Sequence, residues 1–458
     1  MSHLSLLHSA TAAIALVATV LAYARCRDAL HPAVLIGPLM AGGYGVWPLV
    51  LNRNGDLLRF FNLQDLEKVG FLYFVAVLAF SVSMLGGSVS PHRHASAPDL
   101  GAPLQDDRYR RKLFHLSLGL GSIAVAAYWY MIQNVGGFLQ AYGRVKGGGW
   151  AASGYIGEAL LLAFPAVALL ALSRFRERIR LQDAALALLM VSPHLLQGTF
   201  GGRRGPLFLS LAVLFVAWFL ARGALPSLRT GVLAVSTMML AVVLVSSQRQ
   251  EVYIGSQGSV DLSRTLEIVN PDALTVGNEY VMGVATVLTS EHHGDYYWGY
   301  RYFVTYFIRP IPKQIWPSKY EDVGATWIDL NTHENEARYL EAVGLIPVAG
   351  ASSGVVADLY AEFAWGILPA IMVLGWFYAW LWAKHRLRSG IWSVLYIELI
   401  ILSIYLPVQS LSAVLHRFVF MSVFTTLAWR YWIGRTRSFR PEPGPSDRWT
   451  RPLPVPGR

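Results

Sequence analysis

Apolar runs of about 20 residues recur along most of this chain, and each is long enough to cross roughly 30 Å of hydrocarbon as a helix. Eleven such runs are read at about 4–24, 29–51, 69–87, 113–131, 154–173, 181–199, 205–221, 230–246, 353–383, 391–408 and 413–433. A backbone in lipid must satisfy its own hydrogen bonds, so these runs fold as helices. The composition agrees: 54% of the 458 residues are hydrophobic and only 14% are charged, too oily for a soluble enzyme of this length. The expected fold is all-α, a polytopic bundle of about eleven spans with one large loop containing interfacial helices.

The net charge of +10 is distributed by side of the membrane. Alternate connections, with the C-terminal tail, carry 23 of the 38 Lys and Arg, and the opposite short connections carry eight. By the positive-inside rule the first set is cytoplasmic, which puts the N-terminus outside and the C-terminus inside. The basic excess is therefore a topology signal and gives no reason to expect nucleic acid. The other seven bases fall in a long segment, about 247–351, assigned to the outer face. Four units follow: an eight-helix bundle (1–246), the outer loop (247–352), three closing helices (353–433) and a Pro-rich, basic tail (434–458) that reads as disordered. The one cysteine, Cys26, excludes an intramolecular disulfide. The first run lacks a cleavage signature and is expected to be retained.

The loop sorts its charges. It holds 13 acids, yet "RYFVTYFIRPIPKQIWPSK" has none and carries Arg301, Arg309, Lys313 and Lys319 among aromatic residues. Rings and cations together suit a helix at headgroup level. Arg301 and Arg309, eight residues apart, would share neighbouring helix faces, and Pro310, Pro312 and Pro317 would end the helix. Residues 276–290 form a second interfacial or re-entrant candidate.

Ionisable groups at span ends are functional candidates. Arg203 and Arg204 occupy the outer turn "GGRRGP", where two positive charges oppose the topology rule. Guanidinium groups beside glycine-exposed amides suit an anion, although a plain anchoring role is equally open. Asp358 and Glu362, four residues apart, share a helix face. They would serve as a base or orient a sugar hydroxyl, or else pair with loop cations. His416 and Arg417 stand near the outer end of the last span. "EHHGD" is too contiguous to close on a metal without distant partners, and no nucleotide-binding motif is present, so neither a metal nor a nucleotide cofactor is expected.

The order of "GGRRGPLFLSLAVLF", a late loop with "RPIPKQIWPSK", and "GASSGVVADLYAEFAWG" opening the next helix resembles the oligosaccharide repeat-unit polymerases, the Wzy-type O-antigen polymerases, over about residues 190–420. The resemblance implies a metal-independent glycosyltransferase on the outer face of the bacterial inner membrane. Its donor would be a glycan on undecaprenyl pyrophosphate, and its partners membrane lipid, a flippase and a chain-length regulator. Arg204 with Gly205 would take the family's Arg-Gly turn, with Arg203 beside it. Arg309, Lys313 and Lys319 would take its basic Pro-rich segment, and Asp358 a position where the family often has Glu. Arg203, Arg204, Arg249, Arg301, Arg309, Lys313, Lys319 and Arg417 are the expected pyrophosphate ligands. His333, His416, Asp358 and Glu362 are the expected catalytic groups, with His333 placed before His416 as the base. A related O-antigen ligase, or a transporter of lipid-linked sugar, is the alternative.

The topology has a direct test. In a Cys26→Ser background, Gly294→Cys is expected to react with a membrane-impermeant maleimide in intact cells, and Ser446→Cys only after permeabilisation. The reverse pattern would invert the orientation.

Overall fold

The computed structural model describes residues 2–87, 104, 106–143, 150–248, 253–254, 279–309, 311, 315–325, 333–346, 352–388 and 390–434, with backbone alone at 150–155, 242, 246–247 and 333–334. Among these residues every element is a helix. The main ones are α1 (His3–Cys26), α2 (Pro32–Ala41, continued through a π turn at Gly42–Val46 into Trp47–Arg53), α3 (Leu63–Gly87), α4 (Asp107–Asn134) and α5 (Trp150–Leu162 as 3₁₀ turns, then Ala163–Ser173). They continue with α6 (Leu181–Thr199), α7 (Arg204–Arg222), α8 (Leu228–Ser247), α9 (Glu279–His293) and α10 (Tyr300–Phe303, then a π turn at Val304–Ile308). The last are α11 (His333–Val343), α12 (Gly354–Phe363), α13 (Ile367–Arg388), α14 (Ile391–Leu402) and α15 (Leu411–Trp432).

Nine helical stretches among the described residues are long and apolar enough to cross a membrane. The chain is a multi-pass helical membrane protein. Two expected spans fall short of that standard for different reasons. Helix α6 has the length, but Gln182, Asp183, His194 and Gln197 dilute its apolar character. Helix α14 with its 3₁₀ extension covers only Ile391–Tyr405. The bundle turns apolar side chains outward, among them Val20 of α1, Val373 of α13 and Leu427 of α15, each about 60% exposed or more. In water such a surface would aggregate; against lipid tails it is solvated.

Helix α3 is central, packed against α1 and α13, while α4 and α5 form a second closely packed pair. The expected continuous span at 353–383 is broken. Ala364 takes a left-handed φ of 47°, unusual for a residue with a Cβ, and separates the half-helix α12 from α13. Helix α9 is buried from Tyr280 to Ser290 and packs against α3, α11 and α12, so this part of the loop is inserted into protein instead of lying on its surface.

Helix α12 begins where it does because Gly354 permits it. Its φ is +72°, and a Cβ there would lie 2.5 Å from the Tyr44 hydroxyl and 2.7 Å from the Pro407 carbonyl oxygen. That contact seats the start of α12 against the chain between α14 and α15, where Val355 N–H donates to the Leu406 carbonyl. Gly354→Ala combines backbone strain with overpacking and should destabilise the protein by about 1–3 kcal/mol. Thermal unfolding in detergent checks this, with Gly231→Ala, where an added Cβ meets nothing within 4 Å, as the unaffected control.

Candidate functional site

The polar groups of α7, α10, α12 and α15, with the start of α5, gather at one end of the bundle. Three arrangements arise there.

The first is a buried ion cluster. Asp358 and Glu362 lie one turn apart on α12, as their spacing requires, and are 1% and 0% exposed. Arg301 meets both: Nη2 is 3.0 Å from Asp358 Oδ1, and Nε donates to Glu362 Oε1. The remaining carboxylate oxygens are also taken. Glu362 Oε2 accepts from the Gly299 amide at 2.8 Å, and Asp358 Oδ2 accepts from the Tyr302 hydroxyl at 3.0 Å and the Leu411 amide at 2.9 Å. Burial works against the charge on Arg301, but the Asp358 and Glu362 carboxylates outweigh it and hold the guanidinium pKa above its ordinary value. Arg301 is thus committed to two carboxylates and ties the loop to α12.

The second is a carboxylate–imidazole pair. Glu158, near the start of α5 and absent from the sequence-based candidates, places Oε1 3.5 Å from His416 Nε2 and 3.4 Å from Arg309 Nη2. Arg309 faces Glu158 while Arg301 faces α12, the two bases standing at opposite ends of the π turn at Val304–Ile308. Sequence offered a signal for Glu158: it is a lone carboxylate at the loop end of an apolar run.

The third is a groove of about 630 Å³ whose wall carries Arg204 and Arg417, with Gln409, Tyr405, Ser352 and Ser410. Arg204 opens α7, and Gly205 behind it is required by close approach, since a Cβ there would lie 2.1 Å from the Tyr405 hydroxyl. Arg417 lies over that ring, its guanidinium 5.0 Å from the centroid, and donates to Gln409 Oε1 at 2.7 Å. Arg204 also meets Glu279 at 2.7 Å, but with 61% of its side chain exposed the pair contributes about 0–1 kcal/mol, and an anion can compete for it. Four wall residues, Pro38, Leu39, Phe208 and Ile404, also line an apolar cleft of about 300 Å³ between α2, α7, α8 and α14. A charged groove and an apolar cleft therefore share one boundary.

The other expected residues fall elsewhere. Arg203 is exposed, and its charge interacts with the Tyr142 hydroxyl away from the groove. Two of the turn's amides are used internally, Gly202 donating to the Thr199 carbonyl and Arg203 to that of Gly198, while the start of α7 at Arg204 has no side-chain cap. Lys319 is 3% exposed and donates to the carbonyls of Ile308, Arg309 and Ile311, closing the end of α10 instead of facing a phosphate. His333 opens α11, and its side chain, with Arg249 and Lys313, lies outside the described residues.

No protein-family model, curated protein or solved structure matches the chain. The geometry of the site alone therefore carries any functional reading.

The division between clamp and groove is measurable. Arg301→Ala leaves two buried carboxylates without their cation and should cost about 3–5 kcal/mol, seen as loss of folded protein in detergent. Arg204→Ala, at an exposed pair, should leave the melting temperature within about 1 °C.

Proposed function

We propose that the protein is a glycosyltransferase of the bacterial inner membrane that polymerises lipid-linked oligosaccharide repeat units, using undecaprenyl pyrophosphate as the carrier. The observation that carries this reading is the boundary between the two-arginine groove and the apolar cleft. An isoprenoid diphosphate has the same two-part chemistry: an anion for guanidinium groups and a chain for an apolar slot. The uncapped first turn of α7 adds its dipole beside Arg204.

In the proposed reaction the acceptor hydroxyl attacks the anomeric carbon of the donor glycan, and the bond from that carbon to the diphosphate oxygen breaks. Arg204 and Arg417 stabilise the charge that develops on the departing undecaprenyl diphosphate. His416 takes the hydroxyl proton, with the Glu158 carboxylate 3.5 Å from its Nε2. Asp358 and Glu362, saturated by Arg301 and backbone amides, act as positioning residues. The outer-face orientation follows from the distribution of Lys and Arg. A flippase supplying the lipid-linked units and a chain-length regulator are the partners this activity calls for.

Transport of a lipid-linked sugar is the second reading, favoured by the break at Ala364 and the buried charges on α12, since discontinuous helices line translocation routes in transporters. Under it, His416→Ala would still move substrate.

Arg204→Ala and Arg417→Ala should each lower polymer yield in cells by about ten-fold or more at normal protein levels, and His416→Ala by about 10²-fold or more. Gel profiles of lipid-linked glycan are the readout. Accumulated single repeats support a polymerase and complete unattached polymer a ligase; normal polymer in Arg204→Ala and Arg417→Ala would remove the diphosphate assignment.

A further inference from the structure

Beside the groove lies a second, more enclosed cavity of about 150 Å³ between α9, α10, α11, α12 and the start of α15. Its wall is rich in hydroxyls: of its 16 described lining residues, eight are Ser or Thr and two are Tyr. It joins the groove through Ser352 and Ser410, which line both.

The cavity has no surplus positive charge. Its two guanidinium groups face three carboxylates, Arg301 meeting Asp358 and Glu362, and Arg338 meeting Asp295 at 3.2 Å. A second anion gains nothing by entering. Nor is the cavity greasy enough for a lipid chain, with Met282 and Ala361 the only aliphatic residues among those described in its wall.

One hydroxyl stands apart. Thr286 donates to the Met282 carbonyl and meets the Tyr339 hydroxyl at 3.0 Å, and Ser290 donates to the Thr286 carbonyl. Thr289, on the same helix and 6% exposed, has no hydrogen-bond partner for its buried Oγ1 among the described residues. A helical Thr ordinarily bonds back to a carbonyl one turn earlier, and a buried hydroxyl without a partner is costly. Thr289 lines the polar cavity, and a turn about its χ1 would bring the enclosed hydroxyl to a ligand there.

We infer that this cavity is a subsite for one neutral sugar ring, held by the Ser/Thr wall with Thr289 as a direct hydrogen-bond partner. Hydroxyls that both donate and accept match the equatorial and axial hydroxyls of a pyranose, and a volume of this order admits a single ring. This inference rests on the transferase reading, which places the carrier's diphosphate in the adjoining groove and so brings the sugar nearest to it to Ser352 and Ser410.

Two probes separate the inference from the reading beneath it. Purified full-length protein in lipid nanodiscs is titrated with neutral methyl glycosides by saturation-transfer difference NMR, and separately with farnesyl diphosphate. Thr289→Val preserves shape and removes only the unpartnered hydroxyl, so thermal stability is expected to hold or rise. Binding of the preferred glycoside should weaken about five-fold with farnesyl diphosphate binding unchanged, whereas Arg204→Ala should weaken the diphosphate and spare the glycoside. If no glycoside binds wild-type protein, or Thr289→Val binds as well as wild type, the sugar subsite is wrong. If glycosides bind as expected but farnesyl diphosphate does not, the subsite stands and the diphosphate groove falls.

Discussion

The buried contact of Arg301 with Asp358 and Glu362 is the constraint on which the site depends. Two carboxylates that are 1% and 0% exposed are tolerable only with a cation and a full set of donors, and Arg301, the Gly299 and Leu411 amides and the Tyr302 hydroxyl supply them. These donors come from the loop and from the first turn of α15, so meeting the needs of two side chains on α12 fixes three segments together. In many folds a buried ion cluster can be exchanged for apolar residues without loss of stability; here its geometry also sets where α10 and α15 begin.

From that anchor the rest of the site follows. Helix α15, held at Leu411, carries His416 toward Glu158 and Arg417 over Tyr405. Helix α7 reaches the same tyrosine because Gly205 has no side chain to block it. The hydroxyl end of a buried ring thus meets α7 at Gly205 while Arg417 of α15 lies over its face, and the apolar cleft begins at the same boundary. Among the described residues the positive charge at the groove comes from Arg204 and Arg417 alone, while Arg301 and Lys319 are occupied elsewhere, one by carboxylates and the other by carbonyls.

Much of the membrane architecture was legible in the sequence, because length and hydropathy govern it directly. The spacing of Asp358 and Glu362 put them on one face, and pairing with a loop cation was the plainer of the two roles considered. The glycines around Arg204 were legible as significant, and at Gly205 the structure adds a reason of its own, close packing against the Tyr405 hydroxyl. Glu158 was missed because a single acid inside a long apolar run is absorbed into the span. Lys319 could not be read, since three carbonyls converge on it only after α10 has turned. Arg301 and Arg309, which helical arithmetic set on neighbouring faces, meet different carboxylates, Asp358 and Glu362 in one case and Glu158 in the other.

The central claim is that an isoprenoid diphosphate sits across the boundary of groove and cleft. A cryo-electron microscopy structure of the full chain in nanodiscs with undecaprenyl diphosphate tests it most directly. The account predicts diphosphate density between Arg204 and Arg417, with the chain running along Leu39, Phe208 and Ile404. Density instead at the separate polar cleft lined by Arg110, Arg111 and Arg174, with the groove empty, would contradict it.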